Sequence, residues 1–284
     1  MAFSYEMVAL DLDYTFLNAE LRISPRNRAA VGRCGELGVK VVVTSGRMFR
    51  STMRFVCELG LDTPAISYNG AFVKQESSGR VLVDEKLDLE AARALVEFCD
   101  RENLNLNYYL DDTLYVAKIT PWGELYSKRT DAPLHPVGDL RKLTDRPPTK
   151  VLIVAEPERI ARLYDELAPE YEQRAYVTVS NVEYLEFMPR DADKGKALAA
   201  VARYYNVPRE RTVAFGDADN DIPMIRWAGL GVAMENARPA ARAAADRIAP
   251  PYDQDGVAIV LEELFLDEWK DGRLEGGNGE EIVR

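Results

Sequence analysis

No apolar run in the 284-residue chain approaches the roughly 18 to 20 residues needed to cross a bilayer, and no basic segment followed by an apolar stretch opens it. A membrane-embedded protein is not expected, and the cytoplasm is the expected compartment. Histidine is nearly absent: His135 is the only one. That removes any mechanism needing two imidazoles and makes a Ser-His-Asp triad depend on one residue in a Pro-flanked stretch. Cys34, Cys57 and Cys99 are odd in number, far apart and include no Cys-x-x-Cys pair. Neither a disulfide framework nor a zinc knuckle is indicated, and reduced, buried thiols are expected. No Gly-x-Gly-x-x-Gly follows the first apolar run, which argues against a dinucleotide oxidoreductase. Positive charge is also in deficit, with 36 Lys+Arg against 47 Asp+Glu and a net charge of −11. Phosphate backbones and anionic lipid would be repelled, so neither nucleic acid nor a membrane is an expected partner.

What is present suits a soluble globular protein with a sizeable core, since 47% of the residues are hydrophobic and 29% charged. The length corresponds to about two domains, or to one core carrying a large insertion. Met7-Val8-Ala9-Leu10 reads as a buried strand that ends in Asp11-Leu12-Asp13. Ser24-Pro25 supplies an N-cap and a first-turn proline for a helix running to about Gly35 or Gly38. Val39 to Val43 reads as a second strand finishing at Thr44-Ser45-Gly46-Arg47, and Ile66-Ser67 as another, ending in the turn Tyr68-Asn69-Gly70. Apolar strands alternating with helices predict an α/β fold with a parallel sheet.

From about residue 85 the pattern changes to helices mixed with hairpins. Asp111-Asp112 separates the strands 105–110 and 114–117, and a second set follows with strands near 151–154, 176–179 and 184–187. An inserted α+β domain is expected there. The first pattern resumes with a helix from Lys194 to about Tyr205, a strand Thr212-Val213-Ala214-Phe215 running into Gly216-Asp217-Ala218-Asp219-Asn220-Asp221, and a strand Gly231 to Met234. The predicted division is therefore a discontinuous core, 1–84 and 188–266, an insertion at 85–187, and a flexible tail at 267–284.

Asp11, Asp13, Asp217 and Asp221 all fall just after apolar strands, at the end where open parallel sheets bind ligands. Four carboxylates brought together would repel one another, so a shared site requires a hard cation with oxygen ligands, most simply Mg²⁺. Mg²⁺ prefers one or two protein carboxylates plus water and substrate phosphate, which points to phosphoryl chemistry. Ser45 and Lys194 offer a hydroxyl at a Gly-flanked strand end and a cation to balance phosphate oxygens. With Asp193 as N-cap, Lys194 stands in a first helical turn, where the helix dipole disfavours a cation unless an anion compensates. The bland alternatives are that each Asp caps a following helix and that Lys194 is solvated or paired with Asp191.

These residues resemble a known family. Asp11-Leu12-Asp13-Tyr14-Thr15, Thr44-Ser45-Gly46-Arg47, Asp193-Lys194-Gly195-Lys196-Ala197-Leu198 and Gly216-Asp217-Ala218-Asp219-Asn220-Asp221 are similar, in order, to the four motifs of the haloacid dehalogenase superfamily. The branch most resembled is that of the Cof-type phosphatases. Ser67-Tyr68-Asn69-Gly70-Ala71, Gly229 to Met234 and Asp255-Gly256-Val257-Ala258 extend the match over nearly the whole chain. The resemblance implies a Rossmann-like parallel-sheet core with an α+β cap of C2 type inserted between the second and third motifs. It also implies that Asp11 is the nucleophile, forming an aspartyl-phosphate, and that Asp13 is the general acid and then base. Asp217 would bind Mg²⁺ together with Asp11 and the backbone carbonyl of Asp13. Asp221 would support that shell, while Ser45, Gly46, Asn220 and Lys194 hold the phosphoryl oxygens. Ordinary chemistry agrees, because a carboxylate nucleophile splits ester hydrolysis into two displacements and a second carboxyl two residues on can shuttle the proton. Asp11 must be ionised and Asp13 protonated at the first step, so their environments are expected to push their pKa values apart.

Two departures stand out. Tyr14 occupies a position usually held by Gly and is expected to place a bulky side chain beside the nucleophile loop, and Glu235 adds negative charge where the branch commonly has Gly. Arg47 and Asn69, on strand-end loops, are candidates for substrate contact, although Arg47 could equally pair with a carboxylate. Alternation predicts that some of Tyr108, Tyr109 and Tyr115 face the insertion's own core. Trp122, between Pro121 and Gly123, is a candidate for a specificity loop. The expected function is a Mg²⁺-dependent phosphatase acting on a small phosphorylated metabolite, with sugar phosphates as the leading class. A phosphomutase and a non-catalytic phosphometabolite-binding module are the alternatives, and oligomeric state stays open.

Overall fold

The structure is a computed structural model that describes residues 5–265, so the tail expected at 267–284 lies outside the described residues. The chain divides into two compact units, one made of Met1–Val42, Leu59–Thr63 and Ala202–Arg284, the other of Val43–Glu58 and Pro64–Val201. The insertion expected at 85–187 falls wholly within the second unit, which also takes in residues 43–58, 64–84 and 188–201.

In the first unit the strands Arg247–Ala249, Leu230–Met234, Thr212–Gly216 and Met7–Asp11 lie side by side in that order, all parallel. Lys40–Thr44 continues the sheet beside Met7–Asp11. Both Met7–Asp11 and Thr212–Gly216 are buried at every position, as expected of strands covered on both faces. The chain winds one way from Met7–Asp11 and the other way from Thr212–Gly216, so the sheet reverses direction between these two neighbours. In open α/β sheets the crevice at such a reversal is where ligands bind. Helix Pro25–Glu36 begins as expected, with Ser24 Oγ accepting from the Asn27 amide at 3.0 Å. The buried Asn27 side chain then donates to the Phe16 carbonyl and accepts from the Ala258 amide, both at 3.0 Å. Losing this amide strands two buried backbone groups, so Asn27→Leu should cost about 2 kcal/mol or more, read as a shift in the denaturation midpoint.

In the second unit Thr44 pairs in parallel with Ile66, and Ala65–Ser67, Phe72–Gln75 and Arg80–Asp84 follow as antiparallel neighbours. A six-stranded sheet carries the rest, in the order Ala175–Asn181, Tyr184–Pro189, Lys150–Val154, Asn105–Leu110, Thr113–Val116 and Leu134–Pro136. Its pairs are antiparallel except the last. Helices Leu89–Arg101 and Pro157–Tyr171 bury Leu95, Leu163 and Leu167 with Leu106, Tyr108, Val151, Ile153 and Phe187 of the sheet. Cross-strand register puts Asn107, Leu152 and Glu186 in one row on the opposite face, next to the Tyr109 and Lys150 pair. The alternation expected of the tyrosines thus holds for Tyr108 and Tyr109, which take opposite faces.

Two expectations need correction. Trp122 is not on a loop: it lies in the first turn of helix Pro121–Thr130, whose N-cap Thr120 accepts from the Gly123 amide at 3.0 Å. Thr-Pro before an amphipathic stretch is a helix start, the same signal that Ser24-Pro25 gives. Of the three free thiols, Cys34 and Cys99 are buried but Cys57 is exposed. Burial pushes the Cys34 thiol up to about 12. None of the described helices is long and apolar enough to cross a membrane.

Candidate active site

Adjacent strands of the first unit end in Asp11 and in Gly216-Asp217, which brings two motifs together that lie at opposite ends of the sequence. Asp11, Asp217 and Asp221 each offer a carboxylate oxygen within 4.8 Å of the others, and Asp11 and Asp221 are buried. Carboxylates so close in a partly dry site are costly without a counter-ion, and a set of hard oxygen donors fits Mg²⁺. The loop is built to hold them. Asp221 Oδ2 accepts from the amides of Asp217 and Ala218, both at 3.0 Å, and Thr15 Oγ1 donates to Asp217 Oδ1 at 3.0 Å. Asn220 is half-buried in the same turn, whereas the exposed Asp219 points to Arg238 at 2.9 Å.

Asp13 follows in the turn Leu12–Phe16, closed by the Leu17 amide on the Leu12 carbonyl at 2.9 Å. Its half-buried carboxylate is not one of the clustered three. Tyr14 adopts the left-handed region at φ 59°, which explains why glycine would suit the position. Its side chain is 59% exposed and meets Tyr252 edge-on, with ring centroids 5.7 Å apart. The Tyr14 carbonyl accepts from Asn236 Nδ2 at 2.9 Å, and Glu235 is exposed.

The second unit assembles the other candidates. Ser45 is buried after strand Lys40–Thr44, its Oγ accepts from the Arg47 amide at 3.1 Å, and its carbonyl accepts from the Asn69 amide at 3.1 Å. Asn69 is 4% exposed, donates from Nδ2 to Met188 Sδ at 3.2 Å, and fills the space where a Cβ on Gly46 would lie, with Oδ1 at 2.8 Å. Gly70, at φ +98°, lets the chain pass so close that a Cβ would sit 2.5 Å from the Asp193 carbonyl. Gly70→Ala should therefore lower stability by about 1–3 kcal/mol and displace the start of helix Lys194–Tyr205, measurable by denaturant unfolding. Asp193 Oδ1 accepts from the Lys196 amide at 2.8 Å, which is the expected N-cap, and the Asp191 carboxylate pairs with Lys196 at 3.0 Å. Lys194 itself is 1% exposed. The Arg47 guanidinium lies over the Phe55 ring, 5.5 Å from its centroid.

Sequence reading did not single out Lys150, Glu186, Asn107 or the role of Asp112. Lys150 is buried, 3.4 Å from a Glu186 oxygen and 4.9 Å from the Tyr109 ring centroid. Burial alone would lower its pKa, but Glu186 and then Tyr126 outweigh that and raise it. Asn107 Nδ2 and Glu186 Oε2 are buried without a hydrogen-bond partner. Alternation in Asn105-Leu106-Asn107-Tyr108 was the available signal, since polar residues at every second position mark a strand's second face.

Comparison with known proteins gives consistent results. A family profile for haloacid dehalogenase-like hydrolases matches residues 8–261. The 5-amino-6-(5-phospho-D-ribitylamino)uracil phosphatase YitU of Bacillus subtilis is 32% identical over 268 residues, covering 91% of this chain and 97% of the relative. A haloacid dehalogenase-like hydrolase from Bacteroides thetaiotaomicron superposes with a TM-score of 0.85 at 29% identity, over 92% of this chain and all of that one. A protein from Thermotoga maritima gives a TM-score of 0.83 at 34% identity, over 91% and 97% of the two chains.

Proposed function

The chain belongs to the haloacid dehalogenase-like hydrolases and is a phosphatase of that family, and from this premise we propose that it hydrolyses a small phosphorylated metabolite, a sugar phosphate, through an aspartyl-phosphate on Asp11 with Mg²⁺ as cofactor. The observation that carries the reading is the carboxylate trio Asp11, Asp217 and Asp221 at the ends of neighbouring parallel strands, with Asp13 two residues beyond Asp11. An Asp11 carboxylate oxygen bonds to phosphorus while the ester P–O bond breaks, and Asp13 gives its proton to the departing oxygen. Asp13 then takes a proton from water, which attacks phosphorus, frees the Asp11 carboxylate and releases orthophosphate. Asp11, Asp217, Asp221 and the Asp13 carbonyl would hold Mg²⁺, which when bound neutralises phosphoryl charge as a Lewis acid. Ser45, Gly46, Asn220 and Lys194 bind phosphoryl oxygens, while Arg47 and Asn69 are assigned to the substrate side.

In this proposal residues 85–187 form the cap that sets specificity and 1–84 with 188–266 form the core, in a cytoplasmic protein. The sugar-phosphate class is supported by the similarity to YitU, a phosphatase of 5-amino-6-(5-phospho-D-ribitylamino)uracil, in which the phosphate is carried on a ribityl chain. The test is phosphate release from sugar phosphates, nucleotides and p-nitrophenyl phosphate, with Mg²⁺ and with excess EDTA. Release that needs Mg²⁺ and favours sugar phosphates is expected. Activity undiminished by EDTA would remove Mg²⁺ from the reading, and isomerised sugar phosphate without released phosphate would replace hydrolysis by phosphoryl transfer to a sugar.

A further inference from the structure

We propose that Asp112 and Lys150, two residues of the inserted segment, are positioning residues that hold the loop 45–50 in the shape that presents Ser45. The inference rests on the reading of Ser45 and Gly46 as phosphate-binding and adds to it where their geometry comes from. Helix Phe49–Glu58 follows Arg47-Met48, neither of which has a side chain able to accept from the first-turn amides. Those amides still need acceptors. Asp112 supplies them from a distant part of the sequence: Oδ1 accepts from the Phe49 amide at 2.9 Å and Oδ2 from the Arg50 amide at 2.8 Å. The hydroxyl of Tyr68 also donates to Oδ1, at 2.8 Å. A carboxylate at a helix N-terminus is favoured by the dipole as well as by these bonds.

Asp112 reaches that position through backbone conformations that L residues rarely adopt. Asp111 and Asp112 form the two-residue turn between Leu110 and Thr113 and have φ of 50° and 54°, while Tyr68 and Asn69 have φ of 51° and 55°. Left-handed residues on both sides of one contact are retained where surrounding structure holds them. Lys150 holds the other end of the same loop. Its Nζ lies 3.4 Å from the Gly46 carbonyl, with Glu186 at 3.4 Å and the Tyr68 ring centroid at 5.8 Å. Between the two anchors, the Arg47 amide donates to Ser45 Oγ at 3.1 Å and fixes the direction of that hydroxyl. The strand Lys40–Thr44 brings the chain to this place, and the inserted segment gives the loop its form. By thermodynamic reciprocity, an anion bound at the loop then stabilises the docked hairpin tip.

The test uses the full chain with Asp112→Ala, Asp112→Asn, and Lys150→Met combined with Glu186→Gln so that no buried charge is left alone. Inhibition by inorganic phosphate, KM and kcat for p-nitrophenyl phosphate, and amide exchange of peptides covering 45–50 are measured. Asp112→Ala should raise KM and the phosphate inhibition constant about tenfold or more, with a smaller effect on kcat, and should speed exchange at Phe49 and Arg50 selectively. Asp112→Asn keeps one acceptor oxygen and should recover part of the loss, and the Lys150→Met, Glu186→Gln variant should weaken phosphate binding in the same sense. Folded variants with unchanged phosphate inhibition and unchanged exchange at 45–50 would overturn the proposal, as would faster exchange spread evenly over the chain. A wild-type protein that neither releases phosphate nor is inhibited by it would instead overturn the phosphatase reading, while exchange at 45–50 in Asp112→Ala would still decide whether Asp112 orders the loop.

Discussion

Asp11→Asn is expected to lower turnover by roughly 10⁴-fold or more while the protein stays folded. The amide has the shape of the carboxylate it replaces, and Asp11 stands at the end of a fully buried strand whose register with Thr212–Gly216 depends on backbone bonds. What the change removes is the charge and nucleophilicity of one oxygen. Acid-quenched wild-type enzyme taken during turnover should carry a covalent phosphoryl group, and the Asp11→Asn protein should carry none. The same substitution relieves repulsion among three clustered carboxylates, so in EDTA the variant should unfold at higher denaturant concentration than the wild type, the usual exchange of stability for function at a charged site. If the variant kept more than about a tenth of the wild-type rate, the nucleophile would have to be sought elsewhere.

The residues in this prediction are legible in the sequence because each strand carries its functional group at a fixed place. Met7–Asp11 and Thr212–Gly216 are uninterrupted apolar runs, and such runs in parallel sheets deliver the next residue to the binding edge. Helices Pro25–Glu36 and Lys194–Tyr205 announced themselves through Ser24-Pro25 and Asp193, local caps within three residues of what they cap. Helix Phe49–Glu58 gave no such notice, since its acceptor, Asp112, is 63 positions from Phe49. Lys150 reads in the sequence as the polar first residue of an apolar strand, yet it is fully enclosed because Glu186 faces it from the neighbouring strand. Contacts of this kind depend on tertiary pairing, and no local pattern encodes them. The hairpin Phe72–Gln75 with Arg80–Asp84 is not read from the sequence at all: its strands are short and mostly only partly buried, so the apolar alternation is weak.

Asp13→Asn should separate the two half-reactions, because only one of them depends on the leaving group. Asp13 is half-buried in the turn after Asp11, and its carboxylate stands outside the clustered three. With a sugar phosphate the departing alkoxide needs a proton, so the Asp13→Asn enzyme should lose roughly 10²- to 10⁴-fold at the first displacement and accumulate no phosphoenzyme. p-Nitrophenolate leaves without a proton. The first displacement from p-nitrophenyl phosphate should therefore proceed, whereas the attack of water still lacks its base and slows by a similar factor. The expected record is a burst of about one equivalent of nitrophenolate per active site, then a slow phase, with the phosphorylated protein seen by intact mass during that phase. Equal losses with both substrates and no burst would show that Asp13 carries neither proton, and the acid and base would then have to come from outside the turn Leu12–Phe16.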